Sequence, residues 1–256
     1  MNTGLKPSEE MEFEEHGFVS LRGIFDASEC EVIIHHMMDL QSGRKRLEGF
    51  EPRASDDWRR THNQHFYDPR AMELMLDERL RAPLRDCMND EPEGVQTMYF
   101  FKGSEQHRHQ DQYYLPGCMS TWIALVDVNE ENGTIWVQPG SHKERLIDHG
   151  AMMDEYGNED FEPGDPRYDL MVDETYDENC KSGRCGTDIP VEANAGDVVL
   201  FHGALIHRGG PIGDPSSFRH VMANHYISRH FYGWPYPKWP RYSFDGDERY
   251  AVTAPH

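Results

Sequence analysis

Residues 119–140 read MSTWIALVDVNEENGTIWVQPG: an apolar run, a turn built on Glu-Glu-Asn-Gly, and a second apolar run. Short runs rich in β-branched and aromatic residues and punctuated by Asn-Gly read as strands. Three similar runs flank them: VQTMYFFKG at 95–103, GDVVLFHG at 196–203 and RHVMANHYIS at 219–228. From residue 95 to about residue 230 the chain therefore reads as antiparallel β-structure. Upstream of it the texture is helical. Ser8 is placed to cap EEMEFEEH with Gly17 as its stop, FVSL alternates briefly, and Asp26-Ala-Ser-Glu29 has the form of a capping box. The helix after that box carries Val32, Ile33, His36, Met37 and Leu40 at helical spacing. A third helix is expected to start at Asp68-Pro69 and run unbroken through AMELMLDERL. Helices followed by strands predict a mainly β fold with a helical buttress, a sandwich or jelly roll.

The 256 residues fit a single domain with three parts and one excursion. Residues 1–94 form the helical part and 95–230 the β core. Residues 231–256, beginning FYGWPYPKWPRYSF, form an aromatic, proline-rich tail expected to fold over the barrel or to meet a partner, which makes a homo-oligomer plausible. The excursion is 148–190, acidic and rich in glycine and proline, in which no lasting periodicity is read; its length suits a lid over a site.

The formal net charge is −21, from 25 Lys+Arg against 46 Asp+Glu, a field that repels nucleic acid and anionic lipid. No basic patch is evident along the chain. No run is long and apolar enough for a membrane span, and the N-terminal residues lack the charged and apolar regions of a signal peptide, so a cytoplasmic protein is expected. Five scattered cysteines, at 30, 87, 118, 180 and 185, read as reduced thiols.

The chemistry concentrates at residues 107–116, HRHQDQYYLP. On a strand, His109 and Asp111 point to one face, with Tyr113 in the same phase. A third donor is available on a second segment, where GDVVLFHGALIHRGGP ends in His207, and Arg219 opens the last apolar strand. Two imidazoles and one carboxylate leave three adjacent coordination positions open, the arrangement that suits non-haem Fe(II) and dioxygen. A nearby arginine offers a fork for a carboxylate. His107 and His202 are the rivals for these donor positions, while His142, His220 and His225 read as structural.

HRHQDQYYLP, TWIALVDVNEENGTIWVQPGSH and GDVVLFHGALIHRGGP…SSFRH together resemble the phytanoyl-CoA dioxygenase family of Fe(II)- and 2-oxoglutarate-dependent oxygenases. The resemblance implies a double-stranded β-helix of the cupin or jelly-roll type. It implies His109, Asp111 and His207 as iron ligands and catalytic centre, and Arg219 as the partner of the distal carboxylate of 2-oxoglutarate. Gln96, Met98 and Trp122 would line the co-substrate pocket, and Tyr113 is expected to face the substrate. The reaction it implies consumes dioxygen and 2-oxoglutarate, releases succinate and carbon dioxide, and hydroxylates a C–H bond of a small molecule. Retention of Asp111 argues against halogenation. Relatives often carry a hydroxyl residue two positions after the distal histidine; that position is Gly209, so the hydroxyl is expected from elsewhere, with Ser120 and Thr121 as candidates. Two other readings stand beside this one: a cupin-like binding protein without catalysis, and a metal-dependent hydrolase or isomerase on the same scaffold.

Overall fold

A computed structural model describes residues 4–53, 59–157, 161–162, 164–214 and 216–250. The end of the tail, residues 251–256, and four positions in the excursion, 158–160 and 163, lie outside the described residues.

The N-terminal part begins with helix α1 (Pro7–His16), which starts at a proline after Lys6 and stops at Gly17 in the left-handed conformation. Ser8 is thus inside the helix rather than its cap. Strand β1 (Phe18–Leu21) follows, then helix α2 (Ala27–Gln41), where the side chains of Asp26 and Glu29 each accept from the other's backbone N–H as the capping box predicts. The expected third helix is two: α3 (Pro69–Met75) and α4 (Glu78–Met88). Asp77 breaks the run because its carboxylate accepts from the Arg79 backbone N–H, a new N-cap inside the apolar pattern.

Seven strands form the major antiparallel sheet in the order β1-β6-β3-β8-β2-β9-β10. Those not yet placed are β2 (Pro92–Phe100), β3 (Met119–Ala124), β6 (Val198–His202), β8 (Val221–Ser228), β9 (Arg241–Ser243) and β10 (Glu248–Arg249). A second sheet, β5-β4-β7, consists of β4 (Ile135–Val137), β5 (Ile189–Pro190) and β7 (His207–Gly209). The alternation predicted from the sequence sorts the major sheet's side chains into two cores. Val19, Tyr99, Ile123, Leu200 and Met222 face the helices, packing with Leu40, Met75 and Leu80. Phe100, Trp122, Val199, Phe201 and Ala223 face inward with Ile135, Val137 and Leu205. The result is the double-sheet jelly roll with a helical buttress, although β1 from the helical part and β9 and β10 from the tail also join the major sheet.

The excursion is ordered by helices α5 (His149–Tyr156) and α6 (Pro166–Ser182). Asp148 and Asp165 cap them, and Gly183 closes α6 in the left-handed conformation. The periodicity is present after all: Tyr168, Met171, Val172, Thr175, Tyr176 and Asn179 make one buried stripe, diluted in the sequence by the acidic residues between them. This stripe packs on Tyr113 and Ile206, beside the segments that carry the donors.

The tail is fastened to the barrel. Trp234, Tyr236 and Trp239 pack against Val95, Leu115, Cys118 and Ile227, and the Trp239 indole donates to the Val95 carbonyl at 2.6 Å. Arg241, fully buried, meets the fully buried Glu93 at 2.8 Å and donates to the carbonyls of Ser228, Arg229 and Phe231. Arg241→Met is expected to cost about 3–5 kcal/mol in denaturant unfolding, since removing one partner leaves a buried carboxylate under-compensated. A loss below about 1 kcal/mol would show that Arg229 and Arg249, at 3.3 and 3.5 Å, suffice for Glu93.

Candidate metal centre

The HRHQDQYYLP stretch is not a continuous strand. His109 makes a single antiparallel bridge to His207, each N–H donating to the other's carbonyl at 2.9 and 3.0 Å, and the chain then turns into one 3-10 turn, Asp111–Tyr113. The bridge brings the two imidazoles to 4.1 Å between ring centres. The turn swings Asp111 up beside them rather than leaving it in strand register, so that Asp111 Oδ1 lies 3.7 Å from His109 Nε2 and 3.6 Å from His207 Nε2. Buried Gln110 holds the turn from below, donating to the Ala204 carbonyl at 2.7 Å and accepting from the Ile147 N–H at 2.8 Å.

These three residues form the one set of three or more His, Cys, Asp or Glu donors of metal-binding geometry found among the described residues, with ligand atoms all within 4.8 Å of one another. Their chemistry fits a metal. Nδ1 of His109 lies 2.8 Å from the His107 carbonyl and Nδ1 of His207 lies 2.9 Å from the Leu205 carbonyl. A carbonyl only accepts, so Nδ1 carries the proton in each ring and Nε2 keeps its lone pair for an ion. Bonds of about 2.1 Å from donors at this spacing can meet at one point. Burial pushes the His109 imidazole down to about 3, with His207 adding to the effect, which keeps it neutral. For Asp111, burial alone would raise the carboxyl, but His207, His225 and His109 outweigh it and hold it well below the usual carboxylate range.

Two residues given other roles by the sequence reading, Ser120 as a candidate hydroxyl for 2-oxoglutarate and His225 as structural, aim this carboxylate. Ser120 on β3 pairs across to His225 on β8, and both point inward. The Ser120 hydroxyl donates to Asp111 Oδ2 at 2.8 Å, and His225 Nε2 lies 3.3 Å from the same oxygen. With Oδ2 occupied, Oδ1 is presented to the histidines. The signal was the phase of β8, since His225 alternates with Val221 and Ala223 of the inner core. Ser120→Ala is expected to weaken Mn(II) binding by about tenfold or more in anaerobic calorimetry, as loss of a ligand-orienting partner does. An unchanged affinity would mean that His225 alone fixes the carboxylate.

Arg219 sits just before β8 and is 1% exposed. Its guanidinium lies 4.9 Å from the Phe100 ring and 5.7 Å from the Trp122 ring, and donates to the Gly133 carbonyl at 2.5 Å. Its Nε has no partner, and no carboxylate of the described residues pairs with it. Burial, with Arg60 nearby, pulls its pKa down to about 9. A buried guanidinium with open donors is built for an incoming anion. It lines one cavity with His109, Asp111, His207, Met98 and Trp122.

A larger adjoining cavity of about 610 Å³ includes Gln96 and Met98, which share the inner face of β2 as expected. Tyr113 does not face it. The 3-10 turn removes Tyr113 from the phase of His109 and Asp111 and stacks it between Tyr168, at 3.8 Å, and His149, at 4.8 Å. Tyr114 lines the cavity instead. Of the rival histidines, His202 lies outside both cavities, its Nδ1 accepting from the Ala204 N–H, and His107 lines the larger cavity without joining the donor set. Neither Ser120 nor Thr121 replaces the hydroxyl missing at Gly209, because Ser120 is committed to Asp111 and Thr121 accepts from Asn224. A Cβ at 209 would come within 2.8 Å of the Gln106 nitrogen and 3.1 Å of the Ser104 hydroxyl. Glycine is required there by this close approach, and Ser104 brings a hydroxyl to the same corner of both cavities.

A jelly roll carrying two histidines and a carboxylate at its mouth, with a buried arginine behind them, defines a class of metal-centred proteins. The chain belongs to the phytanoyl-CoA dioxygenase family, whose sequence model matches residues 13–221. It is 30% identical to phytanoyl-CoA dioxygenase 1 of Oryza sativa over 186 residues, covering 70% of this chain and 60% of the rice protein. It is 26% identical to phytanoyl-CoA dioxygenase domain-containing protein 1 of Rattus norvegicus over 261 residues, 80% and 84% of the two chains. Among solved structures, EctD from S. alaskensis in its apoform superposes with a TM-score of 0.68 at 21% identity, over 89% of this chain and 79% of that one. HygX from Streptomyces hygroscopicus, solved with nickel and 2-oxoglutarate bound, gives 0.63 at 20% identity, over 90% and 89%. The α-ketoglutarate-dependent carbocyclase SnoK from nogalamycin biosynthesis gives 0.64 at 19% identity, over 88% and 84%.

Proposed function

We propose that the protein is an Fe(II)- and 2-oxoglutarate-dependent dioxygenase that hydroxylates an unactivated C–H bond of a small metabolite, releasing succinate and carbon dioxide. The observation that carries this reading is a single cavity holding three convergent donors and one buried arginine that no carboxylate of the described residues pairs with. His109, Asp111 and His207 would hold the iron, and Ser120 and His225 would keep Asp111 presenting one oxygen to it. Bound there, ferrous iron with 2-oxoglutarate and dioxygen supplies the oxidising power for the reaction.

The chain's own contribution is positioning and exclusion of water. Arg219 receives the distal carboxylate of 2-oxoglutarate in its fork, with the Phe100 and Trp122 rings beside the guanidinium and Ser104 offering the hydroxyl that Gly209 lacks. Met98, Phe201 and Ala223 close the apolar wall. Gln96 and Tyr114 border the adjoining cavity where the metabolite enters. The α-ketoglutarate dependence of SnoK and the 2-oxoglutarate bound in HygX, which share this fold, support 2-oxoglutarate as the co-substrate. Asp111 occupies the position that a halide would need, so hydroxylation is favoured over halogenation.

The test is anaerobic addition of Fe(II) and 2-oxoglutarate, read as an absorption band that needs both, followed by oxygen uptake and succinate release against a panel of polar metabolites. A protein that gives neither the band nor succinate is not this enzyme. Product release that needs the metal but neither oxygen nor the keto acid would point instead to the hydrolase or isomerase reading.

A further inference from the structure

The larger cavity gathers two arginines in an acidic chain, matched by two carboxylates, while burial pulls His62 down to about 4 and keeps it neutral. In a protein of net charge −21, its lining includes Arg59, Arg60, His62 and His107, against Asp169 and the metal-facing Asp111. The backbone explains the placement. Residues 59–63 run along β2, where the Arg59 carbonyl accepts from Phe101, Thr61 donates to Tyr99 and Asn63 donates to Thr97. Arg60 bridges Phe100 and therefore shares the inner face with Met98 and Phe100, turning its side chain toward the donors.

Arg60 is half-buried, 5.7 Å from the Phe100 ring, and donates to the Gln106 side-chain oxygen at 2.7 Å. Among the described residues that neutral acceptor is the one hydrogen-bond partner of its side chain, and no carboxylate pairs with it. The amide nitrogen of the same Gln106 lies 3.1 Å from His109 Nε2, so the guanidinium stands one side chain away from the proposed iron ligands. A partly desolvated guanidinium keeps a fork of donors open for a planar anion. The co-substrate has its own arginine in Arg219, and Asp111 is committed to the metal. The remaining anion is the one the cavity must receive from the substrate.

We infer that the primary substrate is a small metabolite bearing a carboxylate, and that Arg60 binds this carboxylate at the rim of the metal centre. The inference rests on the function proposed above. It makes Arg60 a specificity residue, distinct from Arg219, in a chain whose overall charge repels polyanions at a distance. The acidic surface slows anions at a distance, while short-range hydrogen bonds inside the cavity decide which of them stays.

The experiment is calorimetry on the full chain loaded with Mn(II) and saturated with N-oxalylglycine, titrated with pentanoate, pentanamide or pentylammonium. Binding of metal and N-oxalylglycine is measured first on the same sample, so that failure of the metal-centre reading is seen separately. Pentanoate is expected to bind in the millimolar range and at least about tenfold more tightly than its amide, as charge-assisted hydrogen bonds predict. Arg60→Gln is expected to erase that preference and Arg60→Lys to restore part of it, with 2-oxoglutarate affinity unchanged in both. Equal binding of acid and amide, a preference that survives in Arg60→Gln, or no acid binding at a loaded site would overturn the inference. So would an Arg60→Gln loss of 2-oxoglutarate affinity as large as its loss of pentanoate, which would make Arg60 a co-substrate residue.

Discussion

Alanine at Asp111, and separately at His109, is expected to leave a folded protein that no longer retains stoichiometric iron. Asp111 supplies the one fixed negative charge of the donor set, and its Oδ1 is the atom that both histidine Nε2 atoms approach. Loss of an orienting partner typically costs a metal site ten- to a hundredfold in affinity, so loss of a donor should cost about a hundredfold or more. Elemental analysis after anaerobic loading, with circular dichroism as the folding control, measures it. The fold should survive because Gln110 and the paired backbones of His109 and His207 shape the loop without help from the metal-facing atoms. Full metal occupancy in both variants would remove these residues from the centre.

Arg219→Met is expected to separate binding from stability. The substitution removes the fork that meets the distal carboxylate, so the dissociation constant for 2-oxoglutarate, read from the anaerobic absorption band, should rise about tenfold to a hundredfold, the weight of hydrogen bonds to a charged group. The unliganded protein should be no less stable than the parent in denaturant unfolding, because a buried cation without a carboxylate partner is exchanged for an apolar chain of similar reach. A purely structural arginine predicts the reverse: intact affinity and a loss of stability. Ser104→Ala should weaken the same binding by a smaller factor.

Periodicity put Gln96 and Met98 on one face of β2, because a strand's alternation is local, while their place and that of Trp122 in the pocket followed from the resemblance. Local hydrogen bonding similarly marked the Asp26 cap and the Gly17 stop. It was misjudged where a polar residue interrupts an apolar pattern, as Asp77 does between α3 and α4, and where acidic residues dilute one, as in α6. Tyr113 was misplaced for a related reason: strand phase was extended through a stretch whose backbone turns after His109.

By itself the sequence determined a mainly β fold with helices on one side, since strand and helix patterns depend on residue type and near neighbours; His109, Asp111, His207 and Arg219 were singled out by the family resemblance, residue type alone leaving His107 and His202 as rivals. Tertiary structure alone decided that Ser120 and His225 aim Asp111, that Ser104 brings a hydroxyl beside Gly209, and that Arg60 lines the cavity next to the His109, Asp111 and His207 donors. Those relations join residues from nine to more than a hundred positions apart, and the register between strands and the closure of the two sheets bring them together.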